Sequence, residues 1–240
     1  MKEIFEQVKD ASRTLLALSD ESRKMILNRV AKSIVENEEK ILSANQKDLS
    51  KMDRENPLYD RLMLTKERIR GIASDMEHVA ALESPLGKVT CARTLPNGLR
   101  LHRVSVPFGV IGMIYEARPN VTYDVFALCF KSGNACLLKG GKDAEESNVC
   151  AVELIQNILR EEGIDPRVVT LMPSTHAATE EMLNAVGYVD LCIPRGGRKL
   201  IDFVRDNARV PVIETGAGVV HAYFDKDNDA SDGSKGDFIF

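Results

Sequence analysis

A doubly wound, mostly parallel α/β sheet preceded by an N-terminal helical layer is the fold this sequence predicts. Two observations predict it. The first third carries helical periodicity, and from residue 99 onward short apolar runs alternate with longer helical stretches. Short strands alternating with helices pair in parallel through right-handed crossovers, because a tight turn cannot reach a parallel neighbour.

In the first third, Ser19 or Asp20 caps a segment in which Ile26, Val30, Ile34 and then Ile41 recur on one face. Asn56 and Pro57 mark a turn. A second helix starts at Thr65, with Ile69, Ile72, Ala73, Met76 and Val79 in period, and ends by Pro85 and Gly87. The period changes at Leu99, where 99–106 reads as β-rich. Residues 110–115 form an uninterrupted apolar run, the mark of a strand covered on both faces. Val121, Val125, Leu128 and Cys129 then hold a helical period closed by Gly133. The alternation continues with strands at 135–138, 168–171, 189–193 and 210–213, and helices at 145–162, 175–186 and 198–208. The resulting organisation is a helical layer over 1–90, a nucleotide-binding α/β unit over 91–225, and the start of a further region at 226–240.

Composition narrows the function classes. Thirty-two basic residues against thirty-six acidic ones, without a clustered basic face, argue against nucleic acid as a partner. The charged opening stretch has no signal-peptide core, and no segment approaches the roughly 18 apolar residues of a membrane span, so cytoplasm is the expected location and a membrane partner is not expected. The five cysteines, Cys91, Cys129, Cys136, Cys150 and Cys192, are widely and oddly spaced, which suits reduced thiols and no metal site.

In a sheet of this kind ligands bind beyond the carboxyl ends of the strands, so the turns there carry the chemistry. Four stand out: Glu116-Ala117-Arg118-Pro119-Asn120, Lys139-Gly140-Gly141-Lys142, Pro194-Arg195-Gly196-Gly197-Arg198 and Glu214-Thr215-Gly216-Ala217-Gly218. Glycine pairs flanked by cations suit phosphate, since glycine admits close backbone approach and the cation supplies charge; each is equally readable as an ordinary surface loop. The usual dinucleotide fingerprint is absent, because His221 stands where the third glycine after Gly216 and Gly218 belongs. Glu214 reads either as a solvated turn residue or as a positioned general base.

The run from Val106 to Thr122, with Lys131-Ser132-Gly133-Asn134-Ala135, Lys139-Gly140-Gly141, Ser147-Asn148, Pro194-Arg195-Gly196-Gly197 and Pro211-Val212-Ile213-Glu214-Thr215-Gly216, resembles the γ-glutamyl phosphate reductases of the aldehyde dehydrogenase superfamily. The resemblance implies an aldehyde-dehydrogenase-like fold and NADPH-dependent reduction of L-glutamyl 5-phosphate to L-glutamate 5-semialdehyde with release of phosphate, a step of proline synthesis from glutamate. It implies that Lys139, Gly140, Gly141, Lys142, Arg195, Gly196, Gly197 and Gly216 meet the cofactor. Lys142 stands where relatives preferring NAD often carry an acid, which favours NADP. Asn120 is implied as an oxyanion donor and Glu214 as the base, with Arg118 and Lys131 as substrate cations; for the last two a helix-end ion pair is the plainer reading. The family's nucleophilic cysteine is expected beyond Phe240, and none of the five cysteines matches its position. On that expectation the 240 residues would bind cofactor without turnover, and the full-length parent would be a homo-oligomer. The alternative is a non-catalytic module that binds a nucleotide or phosphate.

Overall fold

The structure, a computed structural model, describes residues 1–116 and 118–214. Gly216, the strand expected at 219–224 and the region expected at 226–240 lie outside the described residues.

Five helices open the chain: α1 (Lys2–Thr14), α2 (Asp20–Glu36), α3 (Glu38–Leu49), α4 (Tyr59–Leu62) and α5 (Lys66–Ala81). Ser19 Oγ accepts the Ser22 amide at 3.1 Å and Thr65 Oγ1 accepts the Arg68 amide at 3.2 Å, so hydroxyls cap α2 and α5 where the sequence places them. The apolar face extending to Ile41 belongs to two helices rather than one. Asn37 interrupts it, and its backbone amide and Nδ2 both donate to Ser33 O, at 3.0 and 2.8 Å, closing the end of α2.

An antiparallel ribbon follows, β1 (Val89–Thr94) paired with β2 (Arg100–Val104), and nearly all of it is exposed. The β-rich stretch at 99–106 contains β2. Its partner β1 has no apolar alternation to announce it.

The main sheet comprises β3 (Val110–Tyr115), β4 (Ala135–Lys139), β5 (Val169–Leu171) and β6 (Leu191–Arg195), all parallel, in the order β5-β4-β3-β6. Helices α6 (Asn120–Lys131) and α7 (Glu145–Glu161) carry the chain outward from β3 to β4 to β5, and α8 (His176–Leu183) returns it past β3 to β6. Right-handed crossovers therefore put α6 and α7 on one face and α8 on the other, which is the doubly wound arrangement. The α9 helix (Arg198–Asn207) follows β6. Every residue of β3 is buried, as its apolar run requires.

The expected strand at 189–193 is displaced to β6 by Asp190. Its amide donates to Val110 O at 2.9 Å, and its carboxylate accepts the Val110 amide at 2.8 Å and pairs with Lys9 at 2.6 Å. The expected strand at 210–213 is a single parallel bridge between Val212 and Cys192.

Helices α2, α3 and α5 pack outside α6 and α7, while α1 lies against β3 and β4 with Phe5 stacked on Tyr188 at 6.3 Å. Buried Asp48 on α3 accepts the amides of Glu146 and Ser147 at 3.1 and 2.8 Å and the Ser147 hydroxyl at 2.7 Å, tying the helical layer to the first turn of α7. Among the described residues no helix is long and apolar enough to cross a membrane.

Candidate functional site

The strand order reverses between β3 and β6, and the turns after β3, β4 and β6 converge at the carboxyl edge of the sheet. They line a cleft of about 570 Å³ whose wall includes Tyr115, Glu116, Arg118, Gly141, Arg195 and the Gly196-Gly197 pair. A second cleft of about 300 Å³ lies beside it, between Gly140, Gly141, Asn148 and Glu145 on one side and Met172 and Ser174 on the other. A third, of about 260 Å³, opens between α5 and α6. Arg195 lines both the first and the third.

The loop after β4 is held from beneath. Tyr115 Oη and Thr122 Oγ1 are 2.7 Å apart, and Thr122 Oγ1 donates to Asn148 Oδ1 at 2.8 Å, so β3, α6 and α7 are linked by a buried polar chain. Burial pushes the Tyr115 phenol well above its ordinary range, which keeps it a neutral hydrogen-bonding group. Gly140 lies directly over this chain: a Cβ there would stand 2.3 Å from Asn148 Nδ2 and 3.3 Å from the Tyr115 ring. Only glycine admits that approach. Lys139, half-buried at the end of β4, has its ammonium pKa lowered by burial and makes no ion pair among the described residues. Lys142 is exposed at the start of the 3-10 turn Lys142–Ala144.

The loop after β6 depends on Glu116, whose Oε2 accepts the Gly197 amide at 2.9 Å. A Cβ on Gly196 would meet the Glu116 carboxyl carbon at 2.7 Å and Leu200 at 2.8 Å. The glycine pair thus lets the first and last loops of the cleft touch. Arg118 is exposed on the wall of the cleft. Asn120, the first residue of α6, donates from Nδ2 to Asp124 Oδ2 at 3.1 Å. Glu214 is exposed two residues past the Val212 bridge, flanking the end of β6.

The sequence-derived residues Arg118, Asn120, Lys139, Gly140, Gly141, Lys142, Arg195, Gly196, Gly197 and Glu214 therefore all reach one edge of the sheet. Lys131 does not. It ends α6, a full helix length from Asn120, and is buried with Nζ 2.8 Å from Asp20 Oδ1 and 3.1 Å from Ala80 O. That is an internal tie between α2, α5 and α6, and the reason is geometric: the helix carries its last residue toward the amino edge of a parallel sheet.

Two residues of the site escaped sequence reasoning. Glu116 stands within the turn singled out after β3, but its partner is 81 residues away. Asp124 carried a usable signal, since it lies four residues after Asn120 and so shares its helix face. Burial raises the Asp124 carboxyl above its ordinary value, with Asp75 adding to the effect and Arg195 opposing it.

The aldehyde dehydrogenase family model matches residues 1–207. The chain is 55% identical over 230 residues to the γ-glutamyl phosphate reductase of Bacteroides thetaiotaomicron, covering 96% of this chain and 55% of that protein. It is 58% identical over 219 residues to the one from Chlorobium chlorochromatii, covering 91% and 52%. The crystal structure of the Thermotoga maritima γ-glutamyl phosphate reductase superposes with a TM-score of 0.86 at 39% identity, over 90% of this chain and 53% of that one. The chain thus spans about half the length of the relatives it matches. A probable aldehyde dehydrogenase from Listeria monocytogenes, 14% identical with a TM-score of 0.72, shares the fold.

Proposed function

Because the chain belongs to the aldehyde dehydrogenase family, a family of oxidoreductases, we propose that the protein carrying it is a γ-glutamyl phosphate reductase. In this reading L-glutamyl 5-phosphate, NADPH and a proton give glutamate 5-semialdehyde, NADP⁺ and inorganic phosphate, as a step of proline synthesis from glutamate. The observation that carries it is the 55% identity to a reductase of that name across 96% of the chain.

The carboxyl-edge clefts fit a nicotinamide dinucleotide, the cofactor type of the family. Gly140 packs against Asn148 and Tyr115 where no side chain fits, so its backbone lines the second cleft, and Lys139, with a half-buried ammonium, precedes it in the loop. Lys139 and the Gly140-Gly141 backbone would hold the adenosine side, Lys142 a ribose 2′-phosphate, and Gly196-Gly197 the pyrophosphate side. When bound, such a cofactor supplies a hydride to a carbonyl carbon. For the substrate, Arg118 would pair with the acyl phosphate, Asn120 would donate to the carbonyl oxygen, and Glu214 would serve proton transfer. The Asn120 amide must leave Asp124 to do so. None of the five cysteines lines any of the three clefts, so the family's nucleophilic thiol is sought outside them.

The test is phosphate-dependent reduction of NADP⁺ by purified full-length protein given glutamate 5-semialdehyde. Turnover that requires both phosphate and this aldehyde is the expected result; turnover indifferent to phosphate would overturn the acyl-phosphate assignment. Replacing Lys142 with Glu is expected to weaken NADPH binding about tenfold or more and NADH binding far less, as a lost charged hydrogen bond predicts. Equal losses in a fluorescence titration would remove Lys142 from the 2′-phosphate.

A further inference from the structure

The cleft between α5 and α6 carries a mixed charge apart from the cofactor loops. Asp75 comes from α5, Asp124 from the second turn of α6, and Arg195 from the end of β6, set among Ile72, Met76 and Leu128. Among the described residues none of these three charged groups forms an ion pair, although Asp124 is half-buried and accepts only the Asn120 amide. Two carboxylates and one guanidinium on an otherwise apolar wall suit a small zwitterion better than a simple cation or anion.

We propose that this cleft reads the α-amino acid head of the substrate, with Asp124 as the specificity-determining residue for the α-ammonium, Asp75 reinforcing it, and Arg195 facing the α-carboxylate. This rests on the function proposed above and deepens it. Spacing supports it. Residues four apart on a helix stand about 5–6 Å from one another, and the 3.1 Å contact confirms that Asn120 and Asp124 share a face. In an extended glutamyl chain the acyl carbon and the α-nitrogen are on the order of 5 Å apart, from bonds of about 1.5 Å. A carbonyl oxygen at Asn120 thus brings the ammonium to Asp124. Burial raises the pKa of the Asp124 carboxyl, and a bound ammonium would favour its ionised form. Because Arg195 lines both clefts, it sits where the amino-acid head and the rest of the site meet.

The experiment compares glutamate 5-semialdehyde with 5-oxopentanoate, which lacks only the α-amino group, in phosphate-dependent oxidation by the full-length protein. Asp124→Asn is expected to lower kcat/KM for the amino aldehyde about ten- to hundredfold more than for 5-oxopentanoate, the difference lying chiefly in KM. Asp124→Glu is expected to keep the preference for the amino compound. Equal losses on both aldehydes would reveal a merely structural role and overturn the proposal, as would an unchanged preference. Should Asp124→Asn fail to fold, exposed Asp75→Asn decides: a smaller loss confined to the amino aldehyde supports the proposal, and a wild-type preference overturns it. Wild-type protein that lacks phosphate-dependent turnover sinks the proposed function itself, whereas an active wild type with an unchanged preference in the variants sinks this inference alone.

Discussion

Lys131 shows how one side chain's role depends on which end of its helix it occupies. Its ammonium is enclosed by Asp20 and the Ala80 carbonyl, and only 4% of the side chain is exposed. Lys131→Met is expected to cost about 3–5 kcal/mol in urea unfolding, because the Ala80 carbonyl loses its donor and the buried Oδ1 of Asp20 loses its ammonium. Turnover by the folded variant should stay near wild type; a collapse of kcat/KM at unchanged stability would return Lys131 to the substrate. Gly140 behaves differently. Gly140→Ala drives a methyl against Asn148 and Tyr115, so the polar chain through Thr122 must shift, at an expected cost of about 1–3 kcal/mol. Weakened cofactor binding should accompany it, and a calorimetric titration that finds wild-type affinity would deny the Gly140 loop its role. The residue types at this edge were legible from their turns. The partners were not, since Glu116 finds Gly197, and Asp75 comes to share a cleft with Asp124, only across the fold.

Among the elements, α7 depends most on help from elsewhere. Ala144 precedes it without a side-chain cap, and Asp48 on α3 accepts from the open amides of its first turn instead. Asp48→Ala is expected to destabilise by about 2–3 kcal/mol and to speed hydrogen exchange at Glu146 and Ser147 before the rest of the helix. Unchanged exchange there would mean that packing alone holds the turn. Local chemistry predicts α2 and α5, whose Ser19 and Thr65 caps lie next to them in sequence. No local rule predicts the cap of α7, because its donors and acceptor are nearly a hundred residues apart. The same distinction explains the two missed strand details: β1 exists because β2 pairs with it, and β6 starts late because Asp190 is claimed by Val110 and Lys9.

At the scale of the whole molecule, the core separates the five thiols. Cys91 is exposed on the ribbon, while Cys129, Cys136, Cys150 and Cys192 are buried. Burial pushes the Cys192 thiol up to about 12 and raises Cys150, and Cys136 is raised first by its contact with Cys129 and then by burial. Burial shields Cys129, Cys136, Cys150 and Cys192 from a thiol reagent, and the raised pKa of the last three leaves them little thiolate at pH 8. Exposed Cys91 should therefore be labelled first and these four only after unfolding. Rapid labelling of a second one in the native protein would show that the core around it opens. Periods, caps and glycine turns are local, and they sufficed to determine the helical layer, the parallel doubly wound sheet and the edge at which the candidate turns converge. The tertiary structure alone decided which side chains meet there: it sent Lys131 to the opposite edge, brought Glu116 to the last loop and set Asp124 in a cleft with Asp75 and Arg195. Sequence pattern records which face of an element is apolar; contacts between distant residues follow from how those faces stack, and no local rule contains that.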